Sequence, residues 1–192
     1  MALSDLLARR RMVRRYLPEP VEEESLERVL EAARRHPSAG FSQGIHFVVV
    51  TSREGRQALA ELAGEPAYVA RGFEPWLSEA PVHVILCASK ADYEARYAEP
   101  DKSGVESWPV PYWYVDAGAA FMLLLLAAAE ENLAAGFLGA HRLGGVQDLL
   151  GMPEGVHPVG LVTLGRPAPD RRSGSLRRGR RALAEIVHRE RW

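Results

Sequence analysis

The stretch Val115-Asp116-Ala117-Gly118-Ala119-Ala120-Phe121-Met122-Leu123-Leu124-Leu125-Leu126-Ala127-Ala128-Ala129 decides how the rest of the chain is read. From Ala117 onward it offers no polar side at any helical spacing, and Glu130 and Glu131 follow at once. The run falls short of the ~20 residues that cross a bilayer. It therefore predicts a buried core helix, capped by Asp116 and running to about Asn132. A helix without a polar face needs cover on every side. A chain of 192 residues can barely surround one, so the stretch also predicts that a second copy supplies part of the cover.

The flanking sequence supplies the layers. Val82 to Ala88 is apolar without alternation, which predicts a strand buried on both faces. Phe47 to Thr51 and Val159 to Leu164 are further strands, and Gly136 to His141 is a short extended piece. Ser4 is placed to cap a first helix reaching about Met12. Leu26, Val29, Leu30 and Ala33 have helical spacing within a second helix from Glu22 to Arg35. Arg53 to Ala63 and Gly144 to Leu150 add two more. Pro37-Ser38-Ala39-Gly40 reads as a turn. Lys90 to Tyr114 reads as irregular because Pro100, Gly104, Pro109 and Pro111 interrupt it; a long insertion of this kind usually carries function. Strands interleaved with helices argue an α/β or α+β sandwich, with a single domain over residues 1–192.

Composition excludes several function classes. The net charge of -1 gives no global field for nucleic acid or a membrane surface. The lone Cys87 lies in an apolar strand and has no partner for a disulfide. Neither the cysteine nor His46, His83, His141, His157 and His188 has metal-ligand spacing, so no metal is expected. No Gly-x-Gly-x-x-Gly follows a strand, and there is no Gly-x-Ser-x-Gly elbow. The opening residues lack the apolar core of a secretory signal, which predicts a cytoplasmic protein.

Four clusters remain as candidate binding residues. Arg10, Arg11, Met12 and Arg14 lie in an arginine-rich segment; guanidinium forks match phosphate oxygens, and Arg10 and Arg14 share a face if the first helix extends that far. Pro37, Ser38, Ala39, Gly40 and Gln43 form a loop rich in backbone N–H groups, hydroxyls and an amide, suited to a ligand with acceptors along one edge. Phe137, Leu138 and Gly139 lie where two glycines allow close backbone approach to a flat ring. Arg178 and Arg180 form a late basic group. Trp108, Tyr112 and Trp113 are aromatic residues of the insertion, readable as a substrate lid or as a structural plug.

Singly these motifs are weak, but their order is specific. Arg10-Arg11-Met12-Val13-Arg14, Pro37 to Gln43, Asp116 to Gly139, and Leu161 to Pro167 followed by Arg178 and Arg180 resemble the nitroreductase-like flavoprotein family along nearly the whole chain. The resemblance implies a mainly antiparallel central sheet flanked by helices in an intertwined homodimer. It implies an oxidoreductase that holds FMN non-covalently between subunits and takes electrons from NAD(P)H in ping-pong fashion. The acceptor would be a nitroaromatic, a quinone or a related small molecule, and no protein side chain need act as catalytic acid or base. Arg10, Arg11 and Arg14 would meet the phosphate and ribityl chain, with Arg178 or Arg180 completing the phosphate site. Ser38, Gly40 and Gln43 would face the ring or ribityl edge, and Leu138 and Gly139 the other edge. A flavin-fragmenting or reductive-dehalogenating relative, and a flavin-binding protein without turnover, are the alternatives. Met12 stands where the family often has serine, Phe41 where many members have asparagine, and Gly44-Ile45 where Pro-Trp is common.

Overall fold

A computed structural model describes residues 2–102, 108–170 and 173–192. Four strands form one antiparallel sheet: β1 (Ile45–Val50), β2 (Val82–Ser89), β3 (Ala134–Gly139) and β4 (Val156–Gly165), in the order β1-β2-β4-β3. The apolar β2 is central, between β1 and β4, and is buried along its whole length. Its alternation divides the core. Val82 and Val84 join one apolar cluster, and Ile85 and Cys87 join another on the opposite face.

Helices cover both faces. Helices α2 (Glu23–Ala33) and α6 (Tyr112–Glu130) pack Leu26, Val29, Leu124 and Ala128 on one face. On the other, α3 (Arg53–Leu62) and α7 (Val146–Leu150) contribute Leu59, Ala60 and Val146. Around them lie the short α1 (Leu3–Arg9), α4 (Glu65–Val69) and α5 (Lys90–Tyr97). This is an α+β arrangement with a wholly antiparallel sheet.

Several elements differ from the sequence-based expectation. Helix α1 begins after Ala2 and ends at Arg9, so Ser4 lies inside it and caps nothing. The chain then extends: Met12 bridges Ala135, and the Val13 N–H donates to the Ala135 carbonyl at 2.8 Å. Pairing with β3 ends the helix, so Arg10 and Arg14 share no helical face. The supposedly irregular Lys90–Tyr114 opens with a full helix, α5, capped by the Ser89 hydroxyl and braced by the Lys90–Glu94 pair at 2.7 Å. The part of that stretch at 103–107 lies outside the described residues.

Helix α6 starts at Tyr112 after Pro111, so Asp116 is an interior residue rather than the cap. Its end is well defined. Asn132 adopts a left-handed φ of 59°, and the Leu133 N–H reaches back to the Ala128 carbonyl at 2.8 Å, the Schellman closure. At 19 residues α6 is long and apolar enough to cross a membrane by length and composition. It nevertheless seals Ala117, Ala120, Leu124 and Ala128 completely in the core. Tyr114 and Val115 are exposed, and Met122, Leu123 and Leu126 only half-buried, so within one subunit the helix is incompletely covered. Residues 173–192 are exposed throughout, including Leu183, Ile186 and Val187.

Candidate functional site

The C-terminal end of α6 opens onto a cleft of about 330 Å3. Its lining includes Arg9, Arg10 and Arg11 together with the apolar Leu125, Ala129 and Leu133. The pairing of Val13 with Ala135 sets the arginines beside the start of β3. Arg9 donates to the Asn132 side-chain oxygen at 2.7 Å. Arg10 and Arg11 form no ion pair among the described residues, and no carboxylate lines the cleft. Two cations beside an apolar recess with no internal counter-ion form a site for an anion carrying an apolar body.

The rest of the arginine motif has other contacts. Arg14 lies with its guanidinium carbon 5.2 Å from the Trp76 ring centroid, and its backbone N–H donates to Asp170 at 2.9 Å. Met12 is exposed. Behind them, Tyr16 hydrogen-bonds Thr163 at 2.6 Å and the Val13 carbonyl at 2.8 Å. Burial first of all drives the Tyr16 phenol well above its ordinary range, so it stays protonated.

The loop at 37–43 occupies the other end of α6. Its backbone is braced from below by Asp116, only 6% exposed. One oxygen of that side chain accepts from the Ala39 N–H at 2.8 Å and from the Tyr93 hydroxyl at 2.7 Å. Burial, and then the bond to Asp116, hold the Tyr93 phenol protonated far above its usual value. Arg96 donates to the Gly40 carbonyl at 2.9 Å and grips Asp101 with both terminal nitrogens at 2.7 Å. Arg96 in turn pulls the Asp101 carboxyl down to about 2. Gly40 has φ 62°, and a Cβ there would stand 2.6 Å from the Tyr97 ring. Ser38 turns inward and accepts from the Gln43 N–H at 2.9 Å. Pro37 and Gln43 are exposed.

The glycines near Phe137 are used differently than expected. Gly136 makes room for the Val13 carbonyl, Thr163 and Trp76, each within 2.8 Å of where its Cβ would lie. Gly139 makes room for the His141 imidazole at 2.9 Å. Phe137 packs on Phe121, ring centroids 4.6 Å apart, and Leu138 sits half-buried beside it in sequence. Arg178 and Arg180 lie on the exposed tail, away from the cleft lining. Trp113 is only 7% exposed and packs with Trp108 on Tyr93, while Tyr112 faces outward.

Sequence reading missed Asp116, Tyr93 and Arg96 as the supports of the loop. The available signal was an isolated acid in an otherwise apolar helix, because a buried carboxyl demands partners. It also missed Glu65, whose two oxygens accept the N–H groups of Trp76, Leu77 and Ser78 at 2.7, 2.6 and 3.0 Å. Burial opposes ionisation of Glu65, but these bonds together hold its pKa below the ordinary value. No group of three metal-ligating side chains occurs among the described residues.

Known proteins share this fold. The solved structure of NfrA2 from B. megaterium superimposes with a TM-score of 0.78 at 26% identity, covering 98% of this chain and 74% of that one. An NADH dehydrogenase from Thermus thermophilus is 31% identical over 191 residues, covering 84% of this chain and 85% of the relative. An FMN reductase [NAD(P)H] from Bacillus subtilis is 32% identical over 170 residues, covering 82% of this chain and 63% of the relative. The model of the Nitroreductase family matches residues 7–166, and with these relatives in agreement the chain belongs to that family.

Proposed function

We propose that this chain is an NAD(P)H-dependent flavin oxidoreductase that binds FMN, works as a homodimer of 1–192 units in the cytoplasm, and reduces small nitroaromatic, quinone or related acceptors. The observation that carries the reading is the pair Arg10 and Arg11, left without counter-ions among the described residues beside an apolar recess. The relative named FMN reductase [NAD(P)H] and the one named NADH dehydrogenase agree with it.

In this reading Arg10 and Arg11 neutralise the FMN phosphate, and Arg178 or Arg180 from the tail completes its charge balance. Arg14 and Met12 flank the ribityl chain. Phe137, Leu138 and Gly139 approach one ring edge, and Pro37, Ser38, Ala39, Gly40 and Gln43 face another. Trp108, Tyr112 and Trp113 are the candidate substrate lid, with the exposed Tyr112 as its outer member and the buried Trp113 as its anchor. Bound FMN supplies the chemistry of taking a hydride from reduced nicotinamide and passing it to an acceptor. The protein holds the reactants in place and excludes water from them.

Distance supports the dimer. Asp116 supports the loop, whereas Leu125 and Ala129 line the arginine cleft. Along α6 the two ends stand about 20 Å apart at 1.5 Å per residue. A second copy packed on the uncovered face of α6 would carry its own loop toward this cleft. The exposed Leu183, Ile186 and Val187 supply a further apolar surface for that contact.

The test is the absorption spectrum of the purified protein, followed by titration with FMN and oxidation of reduced nicotinamide in the presence of a quinone. A yellow protein, or stoichiometric uptake of FMN, is expected. A colourless protein that binds no FMN at micromolar concentration overturns the proposal.

A further inference from the structure

Three of the four residues from Gly40 to Gln43 have left-handed backbone: Gly40 at φ 62°, Phe41 at 58° and Gln43 at 55°. For glycine this is free of strain. For a residue with a Cβ it is not, and a bulky ring is among the least suited side chains. The conformation is nevertheless imposed. Ala39 is tied to Asp116, the Gly40 carbonyl to Arg96, the Phe41 N–H to the Ser38 carbonyl at 2.9 Å, and the Gln43 N–H to the Ser38 hydroxyl.

Phe41 gains nothing from its own chain in return. The residue is 73% exposed, and among the described residues its ring pairs with no other. Strain that persists over a rigid support, without compensating burial, marks a contact outside the chain. The ring is apolar and flat, with no hydrogen-bonding group, so it recognises a flat apolar face rather than a charged headgroup.

We propose that Phe41 is a specificity-determining residue that packs against the ring of a planar aromatic electron acceptor. This rests on the flavin reading above, in which the same loop borders the reaction site. Asp116, Tyr93 and Arg96 act beneath it as positioning residues, keeping the loop from relaxing and the ring from folding away.

The experiment compares flavin-loaded wild type with Phe41→Gly and Phe41→Tyr. Glycine relieves the backbone strain, so the apo-protein should melt roughly 2–4 °C higher. The ratio of KM for a naphthoquinone to KM for ferricyanide, which has no aromatic face, should rise about 3- to 10-fold in Phe41→Gly and stay near wild type in Phe41→Tyr. The Kd of oxidised holo-protein for 2-naphthoate, measured by calorimetry, should rise by the same factor. An unchanged ratio and Kd overturn the proposal. So does dissociation of the dimer on dilution of Phe41→Gly, which would assign the ring to the subunit interface. A wild type that binds no FMN overturns the flavin reading itself; a flavin-loaded wild type with indifferent variants overturns only the role of Phe41.

Discussion

The two ends of α6 solve opposite problems. At its C-terminal end Arg10 and Arg11 border an apolar cleft with no ion-pair partner among the described residues. At its N-terminal end the backbone of the 37–43 loop is tied down inside the chain at Ala39, Gly40 and Gln43, through Asp116, Arg96 and Ser38. The first region has unused binding capacity and little internal reason for its composition. The second has fixed geometry and presents one unsupported ring. The contrast teaches that affinity and placement are carried by different residues, and substitutions should separate them.

The largest effect should come from Asp116→Ala. It removes the acceptor of the buried Tyr93 hydroxyl and of the half-buried Ala39 N–H. Losing both bonds and emptying the space of a buried side chain costs about 3–5 kcal/mol, or roughly 6–20 °C in melting temperature. Thermal unfolding of the apo-protein checks this. A loss under about 1 kcal/mol would show that the loop is not clamped through this side chain.

Acid should blur the comparison, for a reason independent of both ends. His83 is fully buried on β2, with Nε2 on the Leu77 carbonyl at 2.7 Å and Nδ1 without a partner among the described residues. Burial drops its pKa to about 4 from an ordinary 6.5. The folded state keeps it neutral while the unfolded state takes a proton. Its contribution is therefore complete above pH 6.5 and is lost as pH falls toward 4, a total of about 3 kcal/mol. His83→Gln should flatten that part of the stability-versus-pH curve, read by denaturant titration from pH 7 to 4. Equal slopes in both proteins would mean that His83 is protonated in the fold.

At the other end, Arg10→Ala should weaken FMN binding about 10- to 150-fold, the loss of a charge-assisted bond worth about 1.5–3 kcal/mol. Riboflavin, without the phosphate, should be much less affected, and the apo-protein should melt within about 0.5 kcal/mol of wild type. Paired titrations of the two flavins decide it. Equal losses for both ligands remove Arg10 from the phosphate.

The same contrast explains what sequence reading reached. Strand β2 was legible because a central strand covered on both faces writes an unbroken apolar run. The arginine cleft was legible because its chemistry lies in consecutive residues, though its geometry was not. The exit of the chain from α1 at Arg9 depends on pairing with Ala135, more than 120 positions away. The clamp was illegible for the same kind of reason. Asp116 looks like a helix cap until Tyr112 to Val115 are seen inside the helix and Ala39 is seen above it. Helix α5 was missed although Ser89 and the Lys90–Glu94 spacing announced it, because downstream prolines drew the reading toward an irregular loop.

The smallest effect tests whether the two ends are independent. Tyr93→Phe removes one hydroxyl from Asp116 and leaves the ring in its cluster, with centroids 6.1 and 6.4 Å from Trp113 and Trp108. The Ala39 N–H still reaches Asp116, so the cost should be about 1 kcal/mol, well below that of Asp116→Ala. Because the Tyr93 phenol stays protonated far above its usual range, the difference from wild type should be constant from pH 7 to 9. Combined with Arg10→Ala, the stability changes of the apo-protein should add within about 0.5 kcal/mol, as expected for sites this far apart in one subunit. FMN affinity should behave otherwise. If a second copy carries its loop over the cleft, both substitutions act on one ligand, and the double variant should depart from the product of the single losses by more than twofold. Strict multiplicativity for FMN would show that loop and cleft never meet around one flavin, and the dimeric site would have to be abandoned.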